Sequence, residues 1–62
     1  MGYRVRELRR ERSLTQNQLA EKANVSRITI INIENGTAKS VLSTTLIGIA
    51  DALGVTVDDL ID

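Results

Sequence analysis

The 62 residues carry eight Lys or Arg against eight Asp or Glu, and they contain no Cys, His or Pro. A chain this short buries only a modest fraction of its surface, and without Cys or His neither disulfides nor the usual zinc sites can supplement its core. No apolar run approaches the ~18 residues that span a bilayer. The basic N-terminus MGYRVRELRRER has no signal-peptide centre and, with Arg6 at position 6, no myristoylation signal. One domain over residues 1–62 is expected, in the cytoplasm.

The neutral total conceals an asymmetry. Residues 1–39 hold all eight bases and four acids, a net of +4, whereas residues 40–62 hold only Asp51, Asp58, Asp59 and Asp62, a net of −4. A locally basic half binds phosphate even in a neutral chain. On charge alone, an incidental asymmetry of a helical surface fits equally well.

With Tyr3 the only aromatic, Val, Ile, Leu and Ala must build the core. The first helix is expected from Tyr3 to Arg12, where Val5, Leu8 and Arg12 share one line and charges fill the other faces. Thr15 and Gln18 have the spacing of a capping box at the start of a second helix. Leu19, Ala20 and Ala23 form its buried stripe, and Asn24 can end it in a left-handed conformation. Val25 then enters the core at the turn. Ser26 caps a third helix, Arg27 to Glu34, anchored by Ile30 and Ile33 and stopped at Asn35-Gly36.

The fourth helix is expected from Val41 to Leu53, with Leu42, Leu46, Ile49, Ala50 and Leu53 on one apolar face and Gly54 at its end. Gly48 inside it should weaken it by roughly 1 kcal/mol relative to Ala. Drift at an exposed site is the first explanation for that glycine, close approach of a neighbour the second. Thr56 caps a short last helix, Val57 to Ile61, whose Asp58 and Asp59 suit the helix dipole. Val55, Leu60 and Ile61 are expected to close the core. The order describes an all-α fold of five helices, the second and third joined by a three-residue turn.

These positions carry a resemblance: Val5, Leu8 and Arg9; Leu14-Thr15-Gln16; Leu19-Ala20; Val25-Ser26; Ile30, Ile33, Glu34, Asn35 and Gly36; Ile49-Ala50 and Ala52-Leu53-Gly54-Val55. Over nearly its whole length the chain resembles the Cro/C1-type, or phage-repressor, helix-turn-helix family, also called xenobiotic-response-element-like. The resemblance implies a five-helix lambda-repressor-like DNA-binding domain. It also implies an ion pair between Arg9 and Glu34 beneath the third helix, and a phosphate contact from Gln16 that steadies that helix. The segment TAKSVLST departs from the family: it lacks the usual proline and has one extra residue before the apolar stripe.

An α-helix fits the major groove, where base edges carry distinct donor, acceptor and methyl patterns. Arg27 is expected on guanine or a phosphate, Ile28 on thymine methyls, Asn32 on adenine N6 and N7, and Ile31 in the groove beside them. Ser26, Asn35, Thr37 and Lys39 join Gln16 as phosphate candidates, contacts that set register without reading sequence. Each has a plainer explanation: Ser26 as a cap, Asn35 as a helix stop, the bases as solvated charges, and Ile28 and Ile31 as core or a protein interface. Arg4, Arg6, Arg10 and Arg12 either approach flanking phosphates or pair with nearby acids.

The expected function is a sequence-specific transcriptional regulator, acting by repression as a homodimer on a palindromic stretch of double-stranded DNA. The alternative is a protein-interaction module, such as the antitoxin of a toxin–antitoxin pair, with Ile28, Ile31 and Ile47 as its interface. With no glycine-rich phosphate loop and no carboxylate pair in an evident cleft, no catalytic residue, metal, cofactor or small-molecule substrate is expected.

Overall fold

Helix boundaries follow the capping chemistry. The computed structural model describes residues 3–38 and 41–61, and Lys39 lies outside them. The helices are α1 (Val5–Glu11), α2 (Gln16–Ala23), α3 (Arg27–Asn35), α4 (Ser43–Leu53) and α5 (Val57–Leu60). Thr15 opens α2 in extended backbone. Its hydroxyl accepts from the Gln18 amide at 3.0 Å, while Gln18 Oε1 accepts from the Thr15 amide at 2.9 Å. Thr56 and Asp59 repeat the box at α5, with bonds of 3.2 and 3.1 Å. Three helices stop on a left-handed residue: Asn24 at φ 59°, Gly36 at 74° and Gly54 at 71°.

The core gathers Val5 and Leu8 from α1, Leu19, Ala20 and Ala23 from α2, Ile30 and Ile33 from α3, Ile49, Ala50 and Leu53 from α4, and Leu60 from α5. Each fully buried Leu or Ile contributes about 1.5–3 kcal/mol, against about 1 kcal/mol for a cap, so packing dominates and caps set the ends. α2 is central, lying against both α3 and α4. The chain ends are tied together where the Arg4 amide donates to Leu60 O at 2.7 Å beside an antiparallel bridge of Tyr3 with Ile61. Arg12 reinforces this side: its guanidinium donates from Nε to Leu53 O, the last turn of α4, and from Nη1 to Leu8 O at 3.2 Å.

Three expectations about the C-terminal half are corrected. α4 begins at Ser43, two residues late, because Leu42 adopts the extended conformation of an N-cap (φ −67°, ψ 145°). Leu42 therefore leaves the apolar stripe and is 70% exposed. Ile61 lies just past α5 and is 49% exposed; its backbone, through the bridge to Tyr3, makes the contact expected of its side chain. Gly48 is not drift at an exposed site. A Cβ there would stand 3.1 Å from Ala23 O, so the glycine lets α4 approach the end of α2.

Candidate nucleic-acid interface

The turn between α2 and α3 is built from Asn24, Val25 and Ser26. Left-handed Asn24 reverses the chain, and the Val25 amide returns to Ala20 O at 3.0 Å. Val25 packs partly buried against the core. Ser26 then caps α3, accepting from the Thr29 amide at 3.2 Å and lying 2.8 Å from the Thr29 hydroxyl. Ile30 and Ile33 are buried beneath α3. Arg27 and Ile28 are left outward at its first turn, Ile28 68% exposed, and Ile31 and Asn32 are half-buried one turn on.

Glu34 fixes the underside of this helix. Its side chain is 0% exposed, and Arg9, 12% exposed, grips it with two bonds, Nε to Oε2 at 2.6 Å and Nη2 to Oε1 at 3.1 Å. Arg9 also donates to Leu14 O at 2.8 Å, which ties the loop before α2 into the same assembly. Gln16 Nε2 donates to Glu34 Oε1 at 3.2 Å. Arg6 adds a 3.3 Å bond to Glu34 and a 2.9 Å bond to Asn35 Oδ1. One carboxylate thus links α1, α2 and α3.

Burial pushes the Glu34 carboxyl upward. The hydrogen bonds from Arg9 and Gln16, the charge of Arg9 and the bond from Arg6 together outweigh burial and hold it below its ordinary value. Arg9 is raised, first by its hydrogen bond to Glu34. Among the described residues no buried side-chain polar atom lacks a partner, as a satisfied buried charge requires.

The remaining site residues divide. Gln16 keeps one amide hydrogen after serving Glu34, and Asn35 keeps its amide donors after accepting from Arg6. Thr37 sends its hydroxyl toward Asn32, 3.2 Å from Oδ1. The arginines in and flanking α1 also divide. Arg4 pairs with Glu7 at 3.2 Å, Arg6 with Glu34, and Arg12 is absorbed by helix ends. Among the described carboxylates none pairs with Arg10, Lys22 or Arg27. The role of Arg12 had a visible trace, since it prolongs the line of Val5 and Leu8 toward the core. The double duty of Arg6 had none, because its partners are 28 and 29 residues away.

The arrangement offers a short helix with an exposed, cationic and apolar first turn on a fixed support. Among the described residues no group of acids is placed to hold a metal ion, and no helix is long and apolar enough to cross a membrane.

A family model described as helix-turn-helix matches residues 5–60. The immunity repressor protein of Bacillus phage phi105 is 46% identical over 61 residues, covering 98% of this chain and 42% of the phage protein. The HTH-type transcriptional regulator RghRB of Bacillus subtilis strain 168 is 42% identical over 59 residues, covering 95% of this chain and 42% of that one. The chain thus spans less than half the length of these curated relatives. Among solved structures, a chain of the SinR–SinI protein complex superposes with a TM-score of 0.89 at 29% identity, covering 95% of this chain and 57% of that chain. The N-terminal DNA-binding domain of the biofilm regulator SinR from Bacillus subtilis gives 0.83 at 29% identity, covering 95% and 86%. With its capped α2–turn–α3 unit and a family match along almost its whole length, the chain belongs to the helix-turn-helix family, of the Cro/C1 type.

Proposed function

We propose that this chain is the DNA-binding domain of a transcriptional repressor that lays α3 in the major groove and acts as a homodimer on a palindromic operator. The observation that carries this is the exposure of Arg27 and Ile28 at the first turn of a helix whose underside is held by the Arg9–Glu34 pair. Arg27 serves guanine O6 and N7, Ile28 and Ile31 meet thymine methyls, and Asn32 reads a base edge. Gln16, Ser26, Asn35 and Lys39 anchor phosphates, with Arg10 and Lys22 adding positive potential nearby. The two relatives that share most of this chain are named as an immunity repressor and a transcriptional regulator, which supports repression.

Two reading helices must lie about 34 Å apart to meet successive major grooves. Occupying a promoter requires no catalysis, and the cytoplasm is where such a protein meets DNA.

Selection of bound sites from a random duplex pool tests this. The expected outcome is a palindromic consensus whose affinity falls steeply with salt, as phosphate contacts require. No enrichment, or an affinity indifferent to salt, would overturn it.

A further inference from the structure

We infer that Thr37 is a positioning residue that turns the Asn32 carboxamide so that it reads guanine rather than adenine. The inference rests on the proposal that α3 enters the major groove.

Asn32 and Thr37 meet where α3 ends and the chain turns away. Backbone carbonyl Asn32 O accepts from the Thr37 amide at 2.9 Å and from the Ala38 amide at 3.3 Å. With the helical bond from the Gly36 amide, three backbone donors meet that oxygen, more than its two lone pairs serve well. The Thr37 hydroxyl stands 3.4 Å from that same carbonyl and 3.2 Å from Asn32 Oδ1. With the carbonyl already filled, the hydroxyl proton belongs to Oδ1. A turned carboxamide would place its NH2 against Oγ1 and send the exposed hydroxyl proton to solvent, giving up the bond to Oδ1. The bonded arrangement therefore draws Oδ1 toward the protein and leaves the NH2 group as the outward edge.

This orientation has a consequence for base reading. Bidentate recognition of adenine needs the carboxamide oxygen to accept from N6 while its nitrogen donates to N7. An outward NH2 meets only half of that requirement and leaves the adenine amino group unpaired. Guanine presents two acceptors, O6 and N7, on the same edge, and a donor edge matches it. A residue type expected to read adenine is thus converted, by a hydroxyl five positions along the chain, into a reader of guanine.

The test is site selection from a random duplex pool with the wild type, Asn32→Ala, Thr37→Val and Thr37→Ser, each also followed by a thermal melt. Asn32→Ala identifies the step in each half-site whose preference disappears. The expected wild-type base there is guanine, favoured over adenine by about tenfold. Thr37→Val keeps the branched shape, frees the carboxamide and moves the preference to adenine, whereas Thr37→Ser retains guanine. Thr37 is exposed, so all four proteins should melt alike, and a purely structural role would leave the base preference where it was.

Adenine at that step in the wild type overturns the inference. So does an unchanged preference in Thr37→Val, a uniform loss of affinity at every sequence, or an Asn32→Ala protein that keeps every preference. Absence of any consensus with the wild type is a different result: it defeats the DNA reading itself.

Discussion

The two halves of this domain are held together by different physics. From Tyr3 to Ala38, polar side chains cross between helices: Glu34 receives Arg6, Arg9 and Gln16, Arg6 reaches Asn35, and Arg9 reaches Leu14. From Val41 to Ile61 there is no base, and apart from the Arg12 guanidinium that reaches Leu53 O from the other half, the side-chain hydrogen bonds stay within the Thr56–Asp59 box. That half is assembled by Ile49, Ala50, Leu53 and Leu60 and by the close passage of Gly48 under Ala23. A directional network holds the helix offered to a ligand, and non-directional packing holds the helices behind it. Directional bonds fix the angle of α3, which an interface needs, whereas packing tolerates small shifts that a supporting layer can absorb.

Removing Arg9 should break the first half most severely. Arg9→Ala strands a covered carboxylate, and losing one partner of a buried pair costs about 3–5 kcal/mol. Arg6 and Gln16 still touch Glu34, which places the expected loss near the lower end. A domain this small has little stability in reserve, so the thermal melt should show a largely unfolded protein. A melt unchanged within error would mean the network is not what holds α3.

The second half should break through volume. At Gly48 an added Cβ meets backbone rather than a movable side chain. Gly48→Val therefore overpacks the α2–α4 contact and should cost about 1–3 kcal/mol. Gly48→Ala sets the same clash against a propensity gain of about 1 kcal/mol, so it should give little or no stabilisation. A full gain in chemical denaturation would show that α4 can retreat from α2 freely.

These two sites also show what was legible in the sequence. The starts of α2, α3 and α5 at Thr15, Ser26 and Thr56, and the stops at Asn24, Gly36 and Gly54, each depend on chemistry within about four residues, and all are in place. Leu42 has the spacing of the α4 stripe, but the helix starts at Ser43, and in the extended conformation of an N-cap the leucine turns out of that stripe. Gly48 and Ile61 depend on which element lies opposite, which periodicity does not contain. Around α3, the buried and exposed faces were legible from spacing, while the attachments of Arg6 and Gln16 to distant Glu34 and of Thr37 to Asn32 were not.

Acid should distinguish the halves more gently. Glu34 is held below its ordinary value near 4.5, so its contribution is fully present above that value. It is lost as pH falls from there through the lowered folded-state value. Asp59 is lowered in the same direction, first by its backbone hydrogen bond with Thr56 and then by the Thr56 side chain, but it is exposed and solvent weakens its effect. Melting temperature against pH should therefore fall below about pH 4.5. Glu34→Gln should flatten most of that limb and Asp59→Asn much less. An equal effect of the two would remove the distinction between a covered and a solvated carboxylate.

The smallest effects on stability should come from the most exposed large apolar residue in each half. Ile28 and Leu42 are 68% and 70% exposed, and surface substitutions outside caps and packing generally stay within about 0.5 kcal/mol. Ile28→Ser and Leu42→Ala should both melt like the parent chain, since Leu42 stands at the N-cap of α4 without a side-chain cap bond and alanine caps no better than leucine. Their consequences for DNA should differ. Ile28→Ser removes an apolar contact at the start of α3, so site selection should lose a thymine preference at one step of each half-site. Leu42 lies at the start of α4, beside a groove that it shares with Asn32 and Thr37. If it packs against the second copy, Leu42→Ala should leave the consensus of each half-site intact and weaken cooperative filling of the full palindrome. If both substitutions altered base preference, both residues would belong to the reading surface, and Leu42 would have no part in the proposed dimer contact.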